Sequence, residues 1–267
     1  MPADSDHCHI ETTDLPVRRS GLPNIWKISN CAGARMKTSL VTLAVILGSS
    51  VGVAADNVLT AAEKAAGWEL LFDGKTLEGW RPYRKKAGEP LAGWEVKDGT
   101  LHCFAKSKGE QVITVRKFKD YEFAWDWKIL PKGNNGVKYF VTEERPKSPG
   151  HEYQMLDDAG HPDGKVGPHR QTASFYEVLA PAADKPLRAP GEWNTSKIVV
   201  RGMTVEHWLN GKKVLTYVLG SEEVKAGIAK SKFKNDAGFG DKIEGHLLLT
   251  YHNDDCWFRN LKIRELK

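Results

Sequence analysis

Short strand-like runs separated by turn signals constrain the fold of this chain more than any other feature. Asn210-Gly211 lies between apolar runs at 205–209 and 213–218, and Asp98-Gly99 separates two further runs in the same way. Asn-Gly and Asp-Gly pairs between alternating hydrophobic residues favour tight β-hairpins. We therefore expect many short antiparallel strands.

No long amphipathic helical pattern competes with these strand signals. Thr60-Ala61-Ala62-Glu63 is a capping box that predicts one short helix through Ala66, ended by Gly67. We predict an all-β fold, in which a two-sheet sandwich is the natural architecture for about 200 residues. The expected organisation is a short helix and linker at 56–67 followed by a single sandwich domain at 68–267.

The amino-terminal region has the pattern of an export signal. Residues 36–55 combine Lys37, an apolar run at 40–47 and small residues ending at Ala55, which is typical of a cleaved secretory signal peptide. The run is too short to span a bilayer of ~30 Å. We expect a periplasmic or secreted protein without membrane attachment once the signal is removed. Residues 1–35 are interpreted as a start site assigned too early or as a long, cleaved pre-region.

Composition excludes several classes of function. The chain carries 39 Lys and Arg against 34 Asp and Glu, a formal net charge of +5, and has no block of like charge, so a nucleic-acid partner is not expected. No glycine-rich phosphate-binding motif is present, so no nucleotide cofactor is expected.

Cys103 and Cys256 remain after signal removal, either as a disulfide or as two buried thiols. The oligomeric state is left open.

The stretch at 148–190 is rich in Pro, Gly, His and Asp and differs from the strand-like remainder. Asp157, Asp158, His161, Asp163 and His169 are oxygen and imidazole donors along it. Such donors would suit a divalent cation such as Mn, Co, Zn or Ca, with Asp157 and His161 as candidate ligands. The spacing matches no fixed metal motif, and His-Pro-Asp is also an ordinary turn sequence.

Seven segments, taken together and in order, resemble one protein family. They are GWELLFDGKTLEGW at 67–80, WEVKDGTL at 94–101, NNGVKYF at 134–140, HEYQMLDD with HPD at 151–163, GEWNTSKIVVRG at 191–202, VEHWLNGKKV at 205–214 and FRNLKI at 258–263. This combination resembles the 3-keto-disaccharide hydrolase domain, also described as 3-keto-glucoside 1,2-lyase / 3-keto-2-hydroxyglucal hydratase. The resemblance extends from about residue 62 to 266.

The resemblance implies a concanavalin-like jelly-roll sandwich in an exported enzyme that acts on a small sugar or glycoside. The implied substrate carries a ketone at C3, which acidifies the proton on C2. Removal of that proton allows the C1 substituent to leave, and water then adds to the product. Two motifs depart from the family pattern: Asn134-Asn135-Gly136 replaces Asn-Ser-Gly, and Thr250-Tyr251-His252-Asn253 keeps only the histidine of the usual closing motif.

Three residues are the candidates for catalysis in such a reaction. Lys138 lies between aromatic residues of a predicted strand and could act as a base or electrophile, or be a surface lysine. Glu152 could be a base, a metal ligand or half of a salt bridge at the rim. His252, together with Arg259 in the following strand, could contact an anionic intermediate.

Four residues are candidates for binding the sugar. Glu206 and Trp208 share one strand face and could form a platform for sugar C–H groups and hydroxyls, although Trp208 could instead be a core residue. Tyr176 offers a hydroxyl beside the 148–190 stretch. Arg259 is the fourth candidate, with a structural ion pair as the alternative.

Two other functions fit the same sequence. Glu152 and Glu206 could form the two-carboxylate centre of a conventional glycosidase. A lectin-like domain that binds carbohydrate without turnover is the third reading, because the jelly-roll fold hosts both binding proteins and enzymes.

Overall fold

The computed structural model describes residues 55–145 and 149–267, which belong to one compact unit built from two antiparallel sheets. The eight-stranded sheet contains β1 (Glu69–Leu70), β3 (Trp94–Lys97), β4 (Thr100–Cys103), β6 (Tyr121–Ile129), β9 (Asn194–Arg201), β10 (Thr204–Leu209), β11 (Lys212–Val218) and β13 (Cys256–Glu265). The five-stranded sheet contains β2 (Trp80–Pro82), β5 (Val112–Thr114), β7 (Asn134–Val141), β8 (His151–Leu156) and β12 (His246–Leu249).

The strand order mixes neighbours in sequence with distant pairings. The larger sheet runs β11-β10-β9-β6-β13-β4-β3 with β1 on β13, and the smaller runs β2-β5-β12-β7-β8. These strands pair with one another in antiparallel fashion. The prediction of an all-β, two-sheet jelly-roll sandwich with a short amino-terminal helix is confirmed.

The hairpin turns form where the sequence predicts them. Asn210 and Gly211 have φ values of 46° and 83°, and Asp98 and Gly99 have 49° and 71°. Two successive positive φ angles define the hairpin turn whose twist matches that of the flanking strands, which explains the Asn-Gly and Asp-Gly pairs. The turns fix the register of β10 with β11 and of β3 with β4.

Aromatic side chains from both sheets fill the space between them. Trp125 of the larger sheet packs edge-on against Tyr153 of the smaller one, with ring centroids 5.1 Å apart. Tyr139 donates to or accepts from His207 Nε2 at 2.8 Å across the same core. Because side chains alternate along a strand, the inward direction of Tyr139 and Tyr153 turns Lys138 and Glu152 to the outer face of the five-stranded sheet.

Two helices accompany the sheets. Helix α1 (Ala61–Ala65) begins with the predicted capping box between Thr60 and Glu63. Helix α2 (Glu222–Lys230) was not predicted, because only Val224 of its nine residues is buried and no hydrophobic stripe marks it. Its available signals were the Ser221 N-cap and the two glutamates that follow. No helix among the described residues is long and apolar enough to cross a membrane.

Cys103 and Cys256 lie opposite each other on neighbouring strands β4 and β13. Both are buried free thiols, so the structure contains the second of the two alternatives. Burial raises the pKa of Cys103 to about 12 and raises that of Cys256 well above its usual value. The predicted pre-region at 1–35 and all of the predicted signal peptide except Ala55 lie outside the described residues.

Candidate active site

A carboxylate and two basic side chains meet on the outer face of the five-stranded sheet. Lys138 of β7 and Glu152 of β8 are direct cross-strand partners, and Lys138 Nζ lies 3.5 Å from Glu152 Oε2. His252, in the connection between β12 and β13, places Nε2 3.9 Å from Glu152 Oε1. The three predicted catalytic residues are therefore brought together.

Glu152 is ionised although it is buried. Its side chain is 9% exposed, against 17% for Lys138 and 40% for His252. Burial by itself would raise the pKa of Glu152, but attraction to the basic side chains of Lys138, His252 and Lys232 outweighs it and lowers the pKa to about 2. The site thus holds a largely desolvated carboxylate, and the more exposed His252 lies between it and the solvent.

Gly136 gives the Glu152 carboxylate its space. A Cβ atom on Gly136 would lie 2.4 Å from Glu152 Oε1, closer than such atoms approach in real proteins. This glycine lies within the first of the two altered family motifs. The Glu152 carboxylate therefore packs directly against the backbone of β7 at Gly136, and any side chain at this position would displace it.

Tyr176 lies beside Glu152 on a segment that continues the sheet past its β8 edge. The Tyr176 backbone N–H donates to the Glu152 carbonyl at 3.0 Å, and Phe175 forms a bridge with Tyr153. The Tyr176 hydroxyl donates to Asp163 Oδ2 at 2.7 Å. Burial and the Asp163 carboxylate raise the pKa of Tyr176, so it remains a neutral phenol.

The candidate metal ligands Asp157 and His161 stabilise the loop after β8 by accepting hydrogen bonds from backbone N–H groups. Asp157 accepts the backbone N–H groups of Lys132 and Gly160 at 2.7 and 2.9 Å. His161 Nδ1 accepts the backbone N–H of Asp163 at 3.1 Å. In the part of the chain that the structure describes, no group of three or more His, Cys, Asp or Glu side chains is arranged to hold a metal ion. These two residues do not fit a metal centre.

Two other members of that loop cluster, Asp158 and Asp163, also have partners within the protein. Asp158 pairs with Lys185 at 3.0 Å, and Asp163 pairs with Arg170 at 2.8 Å. Asp157, Asp158, His161 and Asp163 therefore stabilise the connection between β8 and the segment containing Tyr176, and they contact different partners rather than one centre.

The structure separates Glu206, Trp208 and Arg259 from this site. All three lie on the outer face of the eight-stranded sheet, because the alternating neighbours His207 and Phe258 point into the core. Trp208 Nε1 donates to Glu206 Oε2 at 2.8 Å. The expectation that these residues share a site with Glu152 is not met, since period-two alternation does not reveal which sheet a strand joins.

Arg259 and Glu206 have partners of their own on that outer face. Arg259 contacts Asp56 at 2.7 Å and Asp126 at 3.4 Å, which is the structural ion pair named as its alternative. Glu206 accepts from Lys213 at 2.9 Å. Glu152 and Glu206 project from opposite sheets in opposite directions, so they do not form the pair of carboxylates that a conventional glycosidase requires.

Lys232 also lies at this site, although the sequence does not predict it there. Its Nζ donates to the Tyr176 hydroxyl at 3.3 Å and lies 4.5 Å from the centre of the Tyr176 ring. It follows a helix that was not predicted and lies in a turn without strand periodicity. No sequence signal places it next to Glu152, because only the packing of α2 does so.

A jelly-roll sandwich hosts both carbohydrate-binding proteins and carbohydrate-active enzymes, and the relatives of this chain place it among the enzymes. The particular relationship is shown by the family model for the 3-keto-alpha-glucoside-1,2-lyase-like domain, which matches residues 67–264. The chain belongs to this family, and the resemblance carried by the seven segments is confirmed.

Individual relatives agree with this assignment. A curated protein of Bacteroides thetaiotaomicron named 3-keto-disaccharide hydrolase is 32% identical, covering 87% of this chain and 90% of its own length. A structure from Parabacteroides distasonis, solved as a candidate glycosyl hydrolase, has 35% identity and a TM-score of 0.71 over 80% of this chain and 100% of its own. A second such structure from the same organism has 26% identity and a TM-score of 0.59, over 74% and 99% of the two chains.

Proposed function

We propose that this protein cleaves 3-keto-glycosides by elimination and hydration at the Lys138–Glu152–His252 site. The observation that carries the proposal is the buried, ionised Glu152 carboxylate held between basic groups. The family membership and the name of the B. thetaiotaomicron relative point to the same substrate class. Net hydrolysis follows from the two steps together.

The proposed reaction balances as a proton transfer followed by loss of the aglycone. Glu152 takes the proton from C2, and the electron pair of that C–H bond forms an enolate with the C3 oxygen. The enolate then expels the C1 substituent as the C1–O bond breaks, and the departing oxygen takes a proton. In the second step water adds a hydroxyl to C1 and a proton to C2 of the unsaturated sugar.

The base strength of Glu152 is coupled to substrate binding. In the free protein the basic neighbours hold its pKa to about 2 against the opposing effect of burial. When Lys138 turns to the developing negative charge on the C3 oxygen, it stabilises the carboxylate less. The effect of burial then raises the pKa of Glu152, so the carboxylate becomes a better proton acceptor as the enolate forms.

The positions of Lys138 and His252 favour different roles. Lys138 is largely buried beside Glu152, where an ammonium group can stabilise an enolate in a site of low dielectric constant. His252 is the most exposed of the three and lies at the open rim, where a leaving aglycone would pass. It is assigned as the acid that protonates the leaving oxygen. Substrate binding by the Tyr176 hydroxyl stays a prediction, because this hydroxyl donates to Asp163 in the free protein.

The proposal is tested with a matched pair of chromogenic glucosides, one oxidised at C3 and one not. We expect the purified protein to release aglycone from the 3-keto substrate and far less from the unoxidised one. Equal release from both would contradict the elimination route and favour a conventional glycosidase. Saturable binding of the keto-glycoside without any release would favour a lectin-like protein.

Two further predictions are tested by separate experiments. A divalent metal stays a prediction, and no step above passes through one because Asp157 and His161 do not fit a metal centre; activity before and after chelation, with Mn, Co, Zn or Ca added back, tests it. Export also stays a prediction from residues 36–55, and is tested by finding the mature protein in the periplasm or medium with its amino terminus near residue 56.

A further inference from the structure

Lys232 brings a second ammonium group to the rim of the candidate site. It lies in the turn after α2, outside both sheets, and its side chain extends over the Tyr176 ring. Its Nζ donates to the Tyr176 hydroxyl. Because Phe175 is buried in the core, its neighbour Tyr176 points to the outer face that also carries Glu152, and the Lys232 ammonium group over its ring lies on that face.

The backbone at Lys232 is fixed by its two neighbours. Ser231 is buried, and its Oγ donates to the Ile228 carbonyl at 2.8 Å while accepting the Phe233 backbone N–H at 3.0 Å. The Phe233 ring packs against Phe239 with centroids 4.3 Å apart. The ammonium group is therefore carried by a flexible side chain on an anchored turn.

Helix α2 itself is seated against the segment that contains Tyr176. A Cβ atom on Gly227 would lie 2.6 Å from the Val178 carbonyl oxygen, so the helix approaches this segment more closely than any other residue type would permit. Val178 lies two residues beyond Tyr176. Gly227 thus determines the distance between the end of the helix and the tyrosine that Lys232 contacts.

A chain of ionic contacts orients the Tyr176 hydroxyl toward this lysine. Arg170 pairs with Asp163 at 2.8 Å and with Glu177 at 2.6 Å. Asp163 accepts a hydrogen bond from the Tyr176 hydroxyl. Because that proton is committed to Asp163, the phenol oxygen presents its lone pairs to the other side and accepts from Lys232. Glu177 has φ +70°, a strained backbone that is held by these contacts.

We propose that Lys232 is a second cation that binds the enolate oxygen of the substrate, and that Tyr176, Asp163 and Arg170 are positioning residues for it. This inference rests on the proposed function. Lys138 approaches the oxygen from the sheet and Lys232 approaches it from α2. Lys232 is exposed in the free protein, so its charge is screened by water until a bound sugar covers the site and strengthens the interaction.

The test compares Lys232→Met, Lys232→Arg and the matched surface control Lys234→Met on the 3-keto glucoside. We expect Lys232→Met to lower kcat by about 100-fold with a much smaller change in KM, because the charge on the oxygen develops after binding. Lys232→Arg should restore part of the loss, since it keeps the positive charge. Lys234→Met should behave as the wild type.

A double-mutant cycle with Tyr176→Phe separates positioning from an independent role. If Tyr176 acts through Lys232, Tyr176→Phe should lower kcat in the wild type and change it little in the Lys232→Met background. Additive effects would contradict the positioning role. Wild-type kcat in Lys232→Met would overturn the inference while leaving the proposed function intact, whereas an inactive wild type would overturn both.

Discussion

The two outer faces of the sandwich carry charged residues in different ways. On the eight-stranded sheet, Arg259 and Glu206 have partners at 2.7 and 2.9 Å. On the five-stranded sheet, Glu152 has its nearest basic groups at 3.5 and 3.9 Å and is far more buried. Partly exposed ion pairs at short distances have a structural role. A buried carboxylate whose basic neighbours lie beyond hydrogen-bond distance can instead interact with a substrate.

Aromatic residues on the eight-stranded face also have cations as partners. On the eight-stranded face, Trp208 lies under Lys197 at 4.7 Å and Trp193 lies under Arg259 at 4.1 Å. These rings already have cations over them, and they are not free platforms for a sugar. An aromatic residue and a carboxylate on one strand therefore do not define a sugar site unless the ring is open.

The largest expected effect separates the two faces directly. Glu152→Gln should lower kcat/KM on the 3-keto glucoside by about 10²–10⁴-fold, because it removes the base while keeping the shape. Glu206→Gln, the matched change on the other face, should leave it nearly unchanged. Circular dichroism and thermal unfolding would confirm that both variants fold. Comparable losses in both would contradict the assignment of the site to the five-stranded sheet.

Gly136→Ala should disturb the active face without changing any charge. The added methyl group would collide with Glu152 Oε1 and displace the carboxylate, and a displacement of about 1 Å can cost on the order of 100-fold in rate. Steady-state kinetics measures the loss, and the melting temperature shows whether the fold survives. Unchanged kinetics in a folded variant would mean that the Glu152 position is not critical.

Lys138→Met should change the pH dependence. Wild-type Glu152 has a pKa of about 2, so its protonation should not reduce kcat/KM until the solution is strongly acidic. Removing Lys138 takes away the largest of the influences that lower this pKa, which then rises, and the acid-side fall in kcat/KM should move to higher pH. Profiles of kcat/KM for both proteins, measured from neutral pH downward, would reveal the shift, and superimposable profiles would argue against the Lys138–Glu152 coupling.

Arg259→Ala should give the smallest effect and act on stability alone. Its partners on the outer face are partly exposed, and such pairs contribute roughly 0–1 kcal/mol. We expect a slightly lower free energy of unfolding in urea and unchanged kinetics on the keto-glucoside. A large loss of kcat with full stability would indicate that this face takes part in catalysis.

The sequence predicts the strands well because their signals are local. Asn210-Gly211 and Asp98-Gly99 require a particular turn, and period-two alternation puts Glu152 on the strand face opposite the buried Tyr153. What alternation leaves open is the sheet to which each strand belongs. Glu206 and Glu152 have the same kind of local pattern, and only the long-range strand order assigns them to opposite faces.

The parts of the site that sequence does not reveal depend on loops and packing. Asp157 and His161 have the chemistry of metal ligands, but both carboxylate oxygens of Asp157 and Nδ1 of His161 accept backbone N–H groups. Lys232 has no pattern around it and reaches the site through the close approach of Gly227 to Val178. The sequence shows which side chains carry metal-binding or hydrogen-bonding atoms, but it does not show which partner each of them contacts in the folded protein.

The most direct test of the proposed reaction is the fate of the C2 hydrogen. Cleavage of a 3-keto glucoside in D₂O, quenched early and corrected with a Glu152→Gln control for spontaneous exchange, should give a 3-keto sugar with deuterium at C2, because elimination removes that hydrogen and hydration replaces it from solvent. Mass spectrometry and NMR locate the label. Rapid release of aglycone with the original hydrogen retained at C2 would contradict the elimination–hydration route.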